Sequence, residues 1–363
     1  MAIHFVYPTY PGSSLLARVG RRAALLAQQC GIPASCVRDR WGVDAASWPV
    51  RAPLSITAHV LQALRARGDV AMYDWAERVS IKGGDSDVLL GHPYPDDDSR
   101  VWNRSCRQGR FAARIAMTPL SHQMVEICGR IEPYVPVVDA IFGIMGRYWY
   151  DTWEGSALAH WKKKIVPIDM AVDIGRFPRV KTRFNPPGRR KFFYLGWSGP
   201  QKGTHLLSIL FGLGKGSQCV AIGPGPSFAN VEHRPAATLD TAYLQSLADE
   251  CDFFITMGVS DANPVTILES MAWGFPVCCT PQSGYYNMPE LLSLSITDMR
   301  HNLSVLELLQ SASESELHAR SQAARALVAR DYTWQRFTDT VIGALDEIGR
   351  MKGFDPWGER RRS

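Results

Sequence analysis

Short apolar runs alternate with helical stretches along this 363-residue chain, and that alternation restricts its fold more than any other feature. In the first half the runs are Ile3–Tyr7, Val70–Trp75, Val88–Gly91, Ile115–Thr118 and Ile165–Ile168. A helix is predicted from Leu15 to Gln29, stopped by Gly31-Ile-Pro33. Phe184-Asn-Pro-Pro-Gly-Arg-Arg190 breaks the pattern with two prolines, a glycine and basic residues, as a linker does. The pattern then restarts with a strand over Lys191–Gly196 and a helix over about 203–212. Further strands follow at Cys219–Gly223, Asp252–Met257 and Pro276–Thr280, and helices at Ser313–Ala329 and Trp334–Ile348. Strands spaced by helices make parallel sheets covered on both faces. A chain this long also exceeds one ordinary core. The expected fold is α/β, with two Rossmann-like doubly wound domains facing a central cleft. Their bounds are 1–184 and 191–335, joined by the linker 185–190. A C-terminal helix and basic tail, 336–363, is expected to cross back to the first domain.

Composition sets the class. With 46% hydrophobic and 21% charged residues the chain is globular and not disordered. Met1 leads straight into an apolar strand without a basic flank, and no run of about eighteen apolar residues exists, so a cytoplasmic location is expected. The eight cysteines form no Cys-x-x-Cys pair and read as reduced core thiols.

Chemistry concentrates in Asp261-Ala-Asn-Pro-Val-Thr-Ile-Leu-Glu269 and the Ser-Met-Ala-Trp-Gly-Phe-Pro-Val277 that follows. An acid ends a loop, a helix starts near Pro264, a second acid lies one to two turns on, and Gly274 stops the helix. The N–H groups and positive dipole end of such a helix suit a phosphate. Glu269 is then placed to accept hydrogen bonds from hydroxyls on the phosphate's carrier. Two carboxylates flanking a helix N-terminus describe a nucleotide-sugar site. In Gly196-Trp-Ser-Gly-Pro-Gln-Lys202-Gly203, a strand closes and a helix opens. Lys202 opposes the dipole there, which makes sense for an anion ligand.

The segment resembles that of the retaining glycosyltransferases of the GT-B fold with a Glu-x7-Glu motif, often called family 4. Their stretch runs Glu-Gly-Phe-Pro-x-x-x-x-Glu-Ala-Met-Ala-x-Gly-x-Pro-Val. This chain keeps Pro264, Glu269, Met271, Ala272, Gly274, Pro276 and Val277, and departs at Asp261, Ala262 and Asn263. The family's Gly-Arg-x-x-x-x-Lys-Gly turn keeps Gly196, Lys202 and Gly203, with Trp197 at the arginine position. The resemblance implies a metal-independent transferase moving a hexose from a nucleoside-diphosphate sugar to a glycan, lipid-linked or small-molecule acceptor, without a cofactor. Glu269 would hold the ribose and Asp261 the sugar. Lys202 and the helix start at Asn263, Pro264, Val265 and Thr266 would hold the diphosphate.

Other stretches match in order. Asp85-Ser-Asp-Val-Leu-Leu-Gly-His92 resembles the family strand whose histidine lies over the donor sugar. Gly12 and Ser13, after the first strand, occupy the place of a Gly-Gly that approaches phosphate and acceptor. Gly223 and Gly225 stand where such enzymes pass the nucleobase. Asp173, Phe177, Gly284, Glu290 and Tyr332-Thr-Trp334 match further family stretches. An epimerase or sugar-phosphate synthase on the same fold, or a catalytically weakened partner subunit, are the alternatives.

Three features point elsewhere. Asp96-Asp-Asp98 looks like a metal-binding acid pair but belongs with a different fold, and reads as a solvated loop. Gly146-Arg-Tyr-Trp-Tyr-Asp-Thr-Trp153 offers aromatic faces for an acceptor sugar, with buried packing the slightly favoured reading. Lys162–Lys164 and Arg360–Arg362, in a chain of net charge +5, leave room for weak peripheral contact with anionic lipid. No basic stripe marks a nucleic-acid surface.

Overall fold

The computed structural model describes residues 1–9, 52–94, 97–214, 216–235 and 238–358. Its first sheet contains β1 (Ile3–Tyr7), β2 (Val70–Asp74), β3 (Val88–Gly91), β4 (Ala113–Pro119), β5 (Ala140–Ile144) and β6 (Ile165–Ile168). These strands are all parallel, in the order β2-β1-β3-β4-β5-β6. Ile3 of the central β1 lies beside Val70 on one side and Val88 on the other. The second sheet contains β7 (Lys191–Leu195), β8 (Gln218–Ile222), β9 (Glu232–Arg234), β10 (Phe253–Thr256), β11 (Val277–Cys279) and β12 (Leu292–Ser293). It is also all parallel, in the order β12-β11-β10-β7-β8-β9. From β7 the chain winds outward through β8 and β9, then returns beside β7 to wind the other way.

Ten α-helices of the described residues cover these sheets: α1 (Ala52–Arg65), α2 (Val101–Gln108), α3 (Val125–Ile131), α4 (Gly146–Thr152), α5 (Thr204–Leu213), α6 (Thr241–Glu250), α7 (Val265–Trp273), α8 (Met299–Ser311), α9 (Glu314–Asp331) and α10 (Trp334–Lys352). Local chemistry fixes their ends. Gly274, in the left-handed region at φ 93°, ends α7. Ser313 and Glu316 form a capping box on α9, and Thr333 caps α10.

Successive side chains of a strand point to opposite faces. Ile3, Phe5 and Tyr7 of β1 accordingly join one core, whereas Val6 joins another with Trp102, Trp149 and Trp153. The first core is continuous with Phe193 and Phe254 of the second sheet and Met271 of α7 through Met170–Val172, Phe177 and Trp273. α10 packs on α1 and β6. Trp334 stacks on His59 at 4.4 Å between ring centroids, and Lys352 Nζ reaches Asp139 Oδ1 at 2.5 Å.

The segment leading into β7 is fastened to the second sheet by a buried charge. Asp252 accepts from Lys181 Nζ at 2.8 Å, from the Asn185 amide and side chain, and from the Lys191 amide. Four donors compensate a carboxylate that water does not reach.

Candidate functional site

Strand order locates the site. Open α/β sheets bind ligands beyond the carboxyl ends of the strands, where the winding direction reverses. In the second sheet that point lies between β7 and β10. Lys202 follows β7 and Asp261 follows β10, and Lys202 Nζ donates to both Asp261 oxygens at 2.7 Å. The pair bridges the reversal.

Backbone constraints set both halves of this pair. Lys202 ends a 3-10 turn, Pro200–Lys202, and Gly203 follows at φ 64°. A Cβ on Gly203 would stand 1.8 Å from the Met257 carbonyl oxygen, so only glycine admits this approach. The Gln201 carbonyl accepts from the Val259 and Ser260 amides, joining the lysine turn to the Asp261 loop. The Asp261 amide donates to the Gln282 carbonyl at 3.0 Å. The Asp261 carbonyl accepts from the Asn263 amide at 3.0 Å and the Trp149 indole at 3.1 Å. Burial pushes the Asp261 carboxyl up from its ordinary value, and Lys202 pulls it back towards the charged form. An ammonium has three N–H donors and Asp261 engages two, so one remains for an incoming anion.

The glycines beside this pair meet closely. Gly196 follows β7 and Gly223 follows β8, and a Cβ on Gly223 would lie 2.0 Å from the Gly196 oxygen. Gly225 sits against Ser198, whose amide donates to the Pro224 carbonyl. Trp197 is 49% exposed, a large aromatic at the rim of the turn, and it brings no charge there.

Glu269 looks into different surroundings. Pro264 precedes α7 with no side-chain cap on the helix start, and Thr266 lies in its first turn. Val265 and Glu269 line a crevice with Ser55, His59, Met170 and Trp334. Among the described residues Glu269 has no hydrogen-bond or ion-pair partner, and burial raises its carboxyl to about 7. Asn263 stands between this crevice and the Lys202–Asp261 pair. It adopts φ 55°, is 2% exposed, and its Oδ1 accepts from the Met170 amide at 2.5 Å. Asn263 thus clamps the two sheets' loops and presents no open face.

The carboxyl ends of the two sheets face each other. Ser121, beyond β4, meets Ser260, beyond β10, at 3.2 Å. Tyr148, beyond β5, donates its amide to the Gly284 carbonyl beyond β11 and receives the Gln282 side chain at 3.2 Å. These pairings run in one order. His92 follows β3, the neighbour of β4 in the first sheet. His92 stacks on Trp75 at 5.1 Å, its Nδ1 is buried without a hydrogen-bond partner among the described residues, and burial depresses its basicity to about 4. It is a neutral imidazole at physiological pH. Gly12 and Ser13 lie outside the described residues.

Of the features that pointed elsewhere in the sequence, Asp96 and Arg360–Arg362 lie outside the described residues, and Asp97, Asp98, Lys162 and Lys164 have partners of their own. Asp97 pairs with Arg78 and Arg100, and Asp98 with Tyr134 and Arg107. Among the described residues no group of three or more His, Cys, Asp or Glu is placed to hold a metal ion. Lys162 turns onto the Tyr150 ring and carbonyl, and Lys164 donates to the Val135 and Val138 carbonyls. Trp149, Trp153 and Trp161 are fully buried and belong to the core, whereas Tyr148 and Tyr150 of the same stretch are half-buried. The six cysteines among the described residues are buried and unbridged. No described helix is long and apolar enough to cross a membrane. Sequence reading passed over the Trp149 indole as a neighbour of Asp261, because that contact joins residues 112 apart in the chain.

The fold belongs to the GT-B class. HepE from Anabaena, solved in complex with UDP and glucose, superposes with a TM-score of 0.57 at 9% identity, over 96% of this chain and 100% of that one. The lipopolysaccharide outer core galactosyltransferase WaaB gives 0.55 at 13% identity, over 95% and 100%. An E. coli trehalose-6-phosphate structure bound with UDP-2-fluoro glucose gives 0.56 at 8% identity, over 95% and 98%. No family model matches the sequence, and no curated protein does.

Proposed function

We propose that this protein is a retaining, metal-independent glycosyltransferase that moves a hexose-type sugar from a nucleoside-diphosphate donor to a glycan, lipid-linked or small-molecule acceptor. The observation that carries this reading is the Lys202–Asp261 pair across the winding reversal of the second sheet. The third N–H of Lys202 would neutralise the diphosphate as it leaves. Asp261 has lone pairs left for the sugar hydroxyls, while Lys202 keeps its charge compensated. Val265, Thr266 and the α7 dipole would hold the phosphates from the other side. Glu269, along the same crevice as Val265, would accept from the ribose. Gly12, Ser13, Gly196, Gly203, Gly223 and Gly225 would let backbone approach the donor, and neutral His92 would face its sugar. The transferred carbon exchanges its bond to the diphosphate oxygen for one to the acceptor oxygen, whose proton leaves with the diphosphate. Similarity to proteins solved with UDP or UDP-glucose supports a nucleotide-sugar donor.

Fixed charges aimed at developing charge supply large catalytic terms, and removing one costs about 2.7–4 kcal/mol. Lys202→Ala is therefore expected to slow release of nucleoside diphosphate from a sugar-nucleotide panel by on the order of 10²–10³-fold. Undiminished release by this variant would refute the assignment.

A further inference from the structure

The loop that carries Asp261 is held partly by the other sheet's domain. Trp149 belongs to α4, beyond β5 of the first sheet, and is fully buried. An indole N–H donates only, and this one is spent on the Asp261 carbonyl at 3.1 Å. The second donor to that carbonyl is the Asn263 amide, and Asn263 itself is held by Met170 of the first domain. On the amide side, Asp261 donates to the carbonyl of Gln282, whose side chain donates to the Tyr148 hydroxyl at 3.2 Å. Every backbone bond of Asp261 therefore leads, directly or through one residue, to the first domain. The Ser121–Ser260 contact adds a fourth tie one residue away.

We propose that Tyr148 and Trp149 are positioning residues for Asp261, setting the Lys202–Asp261 pair only while the two domains are docked. This inference rests on the donor-site reading above. A site assembled this way excludes a half-open enzyme from attacking its donor, since Asp261 reaches working geometry only on closure. A misplacement of about 1 Å is enough to cost about 10²-fold in rate.

The test is amide hydrogen exchange of the ligand-free full chain. The Asp261 and Asn263 amides both lie in this network, so they report on it directly. Trp149→Phe keeps an aromatic side chain, smaller than the indole, and removes the N–H donor. It is expected to speed exchange at both amides about five- to tenfold, the equivalent of one hydrogen bond. Trp153→Phe is the control: it removes an indole bond of the same cluster, to the Leu158 carbonyl at 2.8 Å, that never reaches the loop. It is expected to leave both amides within about twofold. Equal exchange in the two variants would overturn the proposal. Should Trp149→Phe fail to fold, Tyr148→Phe removes the acceptor of the Gln282 side chain. It is expected to speed the Asp261 amide at least about twofold, and an unchanged rate there overturns the proposal equally. A parallel titration of wild type with UDP keeps the readings apart: absence of binding counts against the donor site, whereas exchange judges the positioning.

Discussion

Glu269 and His92 carry opposite signatures of burial. The folded state holds a proton on Glu269 up to about pH 7, whereas an unfolded glutamate releases it near pH 4.5. Between those values the native state binds more protons, so this group makes stability fall as pH rises. His92 is depressed to about 4 from 6.5, so over that window the unfolded state binds more protons and stability rises with pH. Each full excursion is worth up to roughly 3 kcal/mol, and the two slopes largely cancel where they overlap. Melting curves of Glu269→Gln and His92→Gln against wild type should separate them. Relative to wild type, Glu269→Gln gains stability from pH 4.5 towards 7, and His92→Gln gains as pH falls from 6.5 to 4. Parallel curves for all three proteins would refute the burial of both groups. Asp261, Lys202 and His92 were legible in the sequence because each lies in a segment that follows a strand, and Glu269 because it lies in the helix that opens just after Asp261. The ion pair was not, since a bond between residues 202 and 261 has no local spacing to betray it. Trp197 shows the reverse: its lack of charge at an arginine position is plain in the sequence, and the structure adds only its exposure.

At the scale of elements, the turns matter more than the strands. Gly203 links a 3-10 turn to α5 in the left-handed region, against the Met257 carbonyl. Gly203→Ala must adopt that strained φ and push the carbonyl aside. It is expected to cost more than about 2 kcal/mol and to loosen Lys202, measured as a lowered melting temperature together with weaker nucleotide binding. A variant as stable as wild type would show that the turn can relax. The strand Val88–Gly91 was readable because it is buried throughout and its run is unbroken apolar, and Ile3–Tyr7 and Ile165–Ile168 because most of their residues are apolar. β9 escaped reading because Glu232-His-Arg234 is an edge strand, paired through backbone to β8 alone and dressed in charge. β5, Ala-Ile-Phe-Gly-Ile, escaped despite complete burial, its five residues interrupted by Gly143. α1 and α8 have moderate amphipathic patterns, and their place follows from tertiary packing.

Across the whole molecule, two sheets of the same parallel kind meet at their carboxyl ends, and one apolar core runs between them through Met170–Phe177 and Trp273. The chain's last long helix fastens the arrangement from behind, stacking Trp334 on His59 and pairing Lys352 with Asp139. Trp334→Ala removes that stack and opens the Glu269 crevice. It is expected to destabilise the fold by about 3–5 kcal/mol and to weaken nucleotide binding with it, as read by denaturant unfolding and calorimetry. Destabilisation with unaltered binding would separate α10 from the site. The alternation of strand and helix made this architecture legible, but the facing of one sheet on the other depends on contacts such as Ser121–Ser260 that no periodicity encodes. The central claim is that a nucleoside diphosphate binds between Lys202 and α7. Its most direct test is thermal unfolding of wild type, Lys202→Ala and Glu269→Ala with UDP, GDP, ADP, CMP and dTDP. A ligand at 100 times its Kd stabilises by about 2.7 kcal/mol, a shift of a few degrees. The expected result is a shift of wild type by one nucleoside diphosphate that both variants lose; no shift with any of the five, or the same shift in all three proteins, would contradict the site.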